Sequence, residues 1–272
     1  MMTSDKSARL YYGWIVVAVT ALALLVSAGV RSAPGVFLIP LQEDTQWSTG
    51  VISFAVSIGL LVLGLTAPIS GWLIDRFGPR LLAVIALILV SISMAASAFI
   101  QEPWQLALLW GGLSGIGTGI ISGVLGATVA MRWFVARRGL VIGMFGASTS
   151  AGQLIFVPAL MLAATTLGWR ASSLVLAVIA MAAVLPVLLF LRNDPADLGL
   201  APLGATAAET LQPHARGEQG VMRRAVRSTE FWLLAGTFFI CGATSTGLVG
   251  THLIPHATTT ASRRPQPPGC SP

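Results

Sequence analysis

Arg31 lies inside an apolar run that extends from Tyr12 to Leu41, and Thr20 and Ser27 precede it at intervals of seven and four. On a helix those three side chains share one face and make a polar stripe. A charged group near the centre of a bilayer costs about 2.5–3.5 kcal/mol on insertion scales and characteristically faces a bundle interior or a water-filled cavity. A guanidinium among hydroxyls in such a place suits a small anion such as a carboxylate. The alternative is that Arg31 extends its stem to the nearer interface. Ser114, Thr118 and Ser122 line one face of a later run, Gln153 falls within the next, and His252 stands near the end of the last. Each hydroxyl has a rival use in a backbone carbonyl one turn away. The candidate binding set is therefore Arg31, Ser27, Thr118, Ser122, Gln153 and His252.

A second concentration of charge is the stretch GWLIDRFGPR, residues 71–80, between two apolar runs in a chain that is only 10% charged. A turn this short restricts the backbone, and Gly78 is able to take the positive φ such a turn needs. Pro79 then presets φ at the first position of the next helix. Asp75 has three prospective partners: the guanidinium of Arg76, that of Arg80, or the N-terminus of a neighbouring helix.

These residues must be positioned by membrane-spanning helices. Hydrophobic side chains make up 55% of the 272 residues and the mean hydropathy is +0.81, whereas a soluble domain is about 25% charged. Crossing a bilayer takes about 20 mostly apolar residues. Seven runs of that kind occur, at about 12–41, 51–73, 81–100, 104–131, 139–162, 171–191 and 231–254. They must be helices, because hydrocarbon offers no water to satisfy free backbone groups. The first run is too long for the apolar part of a signal peptide and is expected to be retained. The fold class is all-α: a polytopic helix bundle of six spans (12–191), then a linker (192–230), a seventh helix (231–254) and an atypical tail (255–272). Gly111, Gly115, Gly119 and Gly123, and likewise Gly139, Gly143, Ala147 and Ala151, recur every fourth residue and form flat ridges for close helix packing.

Of the 16 Lys and Arg residues, twelve fall on one side if the spans alternate: Lys6, Arg9, Arg76, Arg80, Arg132, Arg137, Arg138, Arg192, Arg216, Arg223, Arg224 and Arg227. The opposite loops hold Arg170 with the acids Glu43, Asp44 and Glu102. Arginine-rich short loops stay cytoplasmic, which predicts a multi-pass protein of the inner (plasma) membrane with residues 1–11 and the linker inside. The pI near 10.6 is then a topology signal, and no nucleic-acid partner is expected. The partners to expect are the lipid bilayer and a small anionic solute.

Chemistry on covalent bonds is not indicated. Within the spans there is no paired Asp/Glu, no HExxH and no Ser–His set, and no Gly-rich Lys loop for a nucleotide. Cys241 and Cys270 define neither a disulfide framework nor a metal site. No cofactor or metal is expected, and the chain does not read as an enzyme.

Gly71, Asp75, Arg76, Gly78 and Arg80 resemble the loop between the second and third helices of the major facilitator superfamily, although Pro79 stands where a basic residue is usual. GWR (168–170) and NDPADLGL (193–200) agree with that family. YYGWIVV (11–17), GVFLIPLQEDTQWSTG (35–50) and RWFVARRGLVIGMFGASTSAG (132–152) look like its bacterial branch related to monocarboxylate and oxalate/formate porters. The resemblance covers residues 11 to about 256. It implies a six-helix N-terminal half plus a seventh helix, secondary active transport of a small solute by alternating access, and a gating role for Asp75 and Arg76. It also implies that the first, second, fourth and fifth helices line the cavity, and that a cation in this part of the first helix is a recurring feature of the branch. Such transporters have twelve helices, whereas here TTTASRRPQPPGCSP follows the seventh run. That ending reads as a truncated or frame-shifted product, so the second cavity wall is expected from a missing C-terminal half or a second copy. A seven-helix receptor is the competing class, and the predicted cytoplasmic N-terminus argues against it.

Overall fold

The apolar runs become helices, and the computed structural model describes residues 11–205 and 227–242. The elements are α1 (Gly13–Thr45), α2 (Thr49–Phe77), α3 (Pro79–Ser97), α4 (Pro103–Trp133), α5 (Arg138–Leu167), α6 (Trp169–Phe190) and α7 (Thr229–Gly242). Among the described residues, α1 to α6 are long and apolar enough to cross a membrane. The chain divides into two compact units, Met1–Arg216 and Gly217–Pro272, and α7 belongs to the second. The remainder of the expected seventh span, from residue 243 to Ile254, lies outside the described residues, as does His252.

Within the first unit, α1 and α4 are the inner helices, with 67% and 61% of their most apolar stretches buried. For α2 and α5 the figures are 11% and 22%. Phe37, Leu24, Leu87, Leu125, Trp133 and Phe134 are almost fully buried and belong to one continuous apolar core. Apolar residues exposed on α2, such as Phe54, Leu61, Leu65 and Ile69, suit contact with lipid tails or another helix bundle.

The six helices are two copies of a three-helix unit. Gly78, Pro79 and Arg80 join α2 to α3, and Gly168, Trp169 and Arg170 join α5 to α6, each 90 residues further on. Gly78 has φ +85° and ψ 154°; Gly168 has φ +83° and ψ 160°. The same spacing relates Pro68 inside α2 to Pro158 inside α5. An odd number of spans per copy reverses the second copy in the membrane, so the two units form an inverted repeat.

The repeat governs packing. A Cβ built at Gly29 of α1 would lie 2.5 Å from the Phe156 ring of α5, while one at Gly119 of α4 would lie 2.9 Å from Thr66 of α2. Both pairs are related by 90. Gly111 and Gly115 also abut α2, at Ile58 and Val62, so three members of the expected α4 ridge do let two backbones approach closely. Gly123 meets nothing within 4 Å. On α5 the close approach is made by Gly152, where a Cβ would fall 2.5 Å from the Leu25 carbonyl oxygen; at Gly139 and Gly143 it would meet nothing. Gly152 therefore faces α1 and is not a member of the expected α5 ridge.

α4 is irregular because glycine is frequent in it, and each interior glycine costs about 1 kcal/mol relative to alanine. It runs as one turn at Pro103–Leu106, a π-helical stretch at Ala107–Ser114, an α-helix at Gly115–Ile120 and a second at Gly123–Trp133. Ile121 (ψ 58°) and Ser122 (ψ −172°) interrupt it. In hydrocarbon the freed backbone groups must find partners. Ser122 Oγ accepts from Val124 N at 3.4 Å, and Ser27 Oγ of α1 donates to the Ile121 carbonyl at 3.3 Å.

Candidate functional site

Arg31 lies two residues past the middle of α1, and Arg31, Gly35 and Ile39 form an exposed stripe at intervals of four. Ser27, one turn before Arg31, is 2% exposed and faces the interruption of α4. Arg31 thus emerges where the α1–α4 contact gives way to open surface. Among the described residues no carboxylate pairs with it. Pro34, three residues on, cannot donate to the carbonyl of Val30, so an acceptor is released beside the cation.

The other candidates divide by what their polar atoms are bonded to. Thr20 donates to Val16 O at 2.8 Å, and Thr118, 2% exposed, donates to Ser114 O at 2.7 Å. These hydroxyls are engaged one turn back on their own helices. Ser27 and Ser122 meet at the α4 interruption, where both serve backbone groups. Gln153 is exposed on α5 next to the buried Gly152, and nothing brings it into contact with Arg31.

At the arginine-rich end, the expected pairing of Asp75 with Arg76 or Arg80 is not what forms. Asp75 Oδ1 meets Arg132 Nη2 of α4 at 3.5 Å, and Arg132 Nη1 lies 3.3 Å from Asp194 Oδ2 just beyond α6. The reason is geometric. The Arg76 guanidinium is turned away from Asp75 and lies over the rings of Trp72 and Phe77, 5.6 Å from each centroid. Arg80 follows the turn, and its Nη2 donates to the Leu188 carbonyl of α6 at 2.6 Å. Gly78 has the positive φ expected of it and Pro79 the first helical position. A Cβ built at Gly71 would lie 3.7 Å from Val124 of α4, ordinary contact.

The start of the presumed linker is docked. Asn193 Oδ1 accepts from Arg80 N at 3.1 Å. Pro195–Leu198 form a 3₁₀ turn, and Leu203 exchanges backbone hydrogen bonds with Trp133, Val135 and Ala136. Tyr11 Oη donates to the carbonyls of Trp133 and Ala201. Burial raises the Tyr11 phenol above its ordinary value, and a backbone hydrogen bond with Leu203 acts in the opposite sense, so the hydroxyl stays protonated and able to donate. Residues 193–205 thus tie together the ends of α1, α3 and α4.

At the opposite end Asp44 Oδ2 accepts from Arg170 Nε (3.1 Å), Arg170 Nη2 (3.0 Å) and Trp169 Nε1 (3.1 Å). Arg170 Nη1 also donates to the Ala98 carbonyl at 2.9 Å. Arg132, Asn193, Asp194, Asp44 and Arg170 all fall within stretches that carry the family likeness, but their pairings escape a local reading because each acts on a residue far away in the chain. The available signal was charge placed directly at a span end, as in NDP after α6.

Six long apolar helices, buried small residues against backbone and apolar outer faces define a polytopic integral membrane protein. The family model of the Major Facilitator Superfamily matches residues 20–260, and the chain belongs to that superfamily. Over 244 residues it is 26% identical to the "Uncharacterized MFS-type transporter YcxA" of Bacillus subtilis, covering 89% of this chain and 57% of that protein. It is 31% identical over 163 residues to human monocarboxylate transporter 7 (60% of this chain, 31% of the relative). With the oxalate:formate antiporter of Oxalobacter formigenes it shares 25% identity over 156 residues (57% and 37%). The chain therefore spans about a third to a little over half of the length of these relatives.

Proposed function

We propose that this chain forms one wall of a secondary carrier that moves a small organic anion by alternating access, with Arg31 as the anion's partner. The observation that carries the reading is an arginine within a span, on open surface, beside a released carbonyl and an interrupted helix, with no carboxylate partner among the described residues. An isolated cation at that depth is costly unless water or an anion reaches it. The names of the relatives, monocarboxylate transporters and an oxalate:formate antiporter, support a carboxylate. Gln153 is the best-placed second polar contact, being exposed on the adjacent α5, and His252 remains a candidate.

On this reading the exposed α2 and α5 face a second helix bundle, from the remainder of a longer polypeptide or from a second copy. The arginine-rich end is cytoplasmic, in the plasma (inner) membrane, and Asp75 is the gating residue, held by Arg132 while that end is closed. No chemical step on the solute is involved. The test is binding of a labelled monocarboxylate to the chain in nanodiscs, with uptake into vesicles. Arg31→Ala is expected to lower binding by more than tenfold with membrane insertion intact, and Arg31→Lys to retain part of it. Undiminished binding by Arg31→Ala would remove Arg31 from the site.

A further inference from the structure

Arg80 and Arg170 hold equivalent places in the two turns, and each reaches a carbonyl at the end of the other's helix, Leu188 on α6 and Ala98 after α3. Those two acceptors are themselves 90 residues apart. The charges of the two arginines are nevertheless met differently. Arg170 gives two N–H groups to Asp44. Arg80 has no such partner: among the described residues no carboxylate pairs with it. The residue that corresponds to Asp44 in the second copy is Phe134, fully buried, so the repeat supplies an anion to one arginine and not to the other.

Beside Arg80 lies a crevice of about 290 Å³ lined by Arg80, Leu81, Val84, Leu188 and Asn193. The Asn193 carboxamide oxygen is already bonded to Arg80 N, the cleft surface is almost wholly apolar, and the Arg80 guanidinium, with one N–H given to the Leu188 carbonyl, borders it. Leu81 and Leu188 are 48% and 44% exposed, and Ile85 and Leu185, one turn deeper on α3 and α6, are exposed as well. A cation at the point where two spanning helices leave the bilayer, above a continuous apolar track, matches one kind of ligand. Its phosphate would meet the planar guanidinium fork, and an acyl chain would lie along the leucines and isoleucine.

We propose that the α3–α6 crevice at the arginine-rich end binds one anionic phospholipid, its phosphodiester ion-paired with Arg80 in the place that Asp44 takes against Arg170. Arg76 serves as the contrast. It is exposed and cationic but lies over the rings of Trp72 and Phe77 and does not line the α3–α6 crevice, so it holds no lipid in this way.

The test is native mass spectrometry of the chain released from nanodiscs of equal phosphatidylcholine and phosphatidylglycerol. The wild type is expected to retain one phosphatidylglycerol in preference to phosphatidylcholine. Arg80→Gln should lower that retention several-fold. Leu81→Trp, which keeps the charge and fills the cleft from an exposed position, should do the same; it decides the matter should Arg80→Gln fail to fold. Arg76→Gln should retain lipid as the wild type does, and millimolar inorganic phosphate should not displace it. Wild-type retention in Leu81→Trp would overturn the proposal. So would equal losses in Arg76→Gln and Arg80→Gln, which mean diffuse positive charge, or full displacement by inorganic phosphate, which means that the cleft takes a free anion.

Discussion

The turns at Gly78–Arg80 and Gly168–Arg170 share a backbone and differ in almost everything attached to it. Both glycines adopt a φ above +80° with an extended ψ, a region that is essentially glycine's alone. Both arginines then cross to the neighbouring helix end. Around Gly78, however, the chain has added a second layer: Asn193 presses on the glycine, and Asp75, Arg132 and Asp194 form a three-member ionic network. Around Gly168 there is open space, and a single carboxylate, Asp44, accepts from three donors. The repeated backbone fixes where α3 and α6 begin. The added side chains distinguish one end of the molecule from the other, and the network with two competing acids around one guanidinium is the one suited to exchange.

Alanine at the two glycines is the sharpest way to break this contrast. Each substitution forces a non-glycine residue into the same disfavoured region, at about 1–3 kcal/mol. Gly78→Ala must also displace Asn193, whose Oδ1 would sit 2.5 Å from the new Cβ, whereas Gly168→Ala meets nothing within 4 Å. Thermal unfolding in detergent should rank Gly78→Ala clearly below Gly168→Ala, and Asn193→Gly should recover part of the deficit. Equal losses would mean that the second layer adds no steric constraint.

A smaller effect is expected at the charges. Arg132 is 15% exposed, and Arg132→Ala leaves Asp75 and Asp194 without their shared cation, at roughly 1–3 kcal/mol. At the other end both partners are nearly half exposed, so Asp44→Ala should cost at most about 1 kcal/mol. Denaturation midpoints at low and high salt separate the two, since an exposed pair is screened more completely. A loss of similar size should come from Asn193→Ala, which removes one acceptor from the α3 N-terminus for about 1 kcal/mol.

The six spans were legible because apolar length is a one-dimensional property and hydrocarbon tolerates no other use of the backbone. The Gly78–Pro79 turn was legible for a similar reason, since it is local. The ionic partner of Asp75 was not: Arg132 lies 57 residues away, and nothing along the chain ranks it above Arg76 or Arg80. The docking of residues 193–205 was hidden because a stretch with Pro195 and Pro202 has the composition of a tether, while its hydrogen bonds go to the α4–α5 corner. The placement of Arg31 on open surface depends on how α1 rotates against Gly152 and the interrupted α4, which composition does not specify.

That interruption has a mechanical meaning. The Gly111, Gly115 and Gly119 contacts clamp the upper part of α4 to α2, and Arg132 anchors its lower part to the ionic network. Ile121 and Ser122 fall between these two grips. The helix is consequently a jointed strut and not a stiff rod, and a twist applied at one membrane surface is taken up at the joint before it reaches the other.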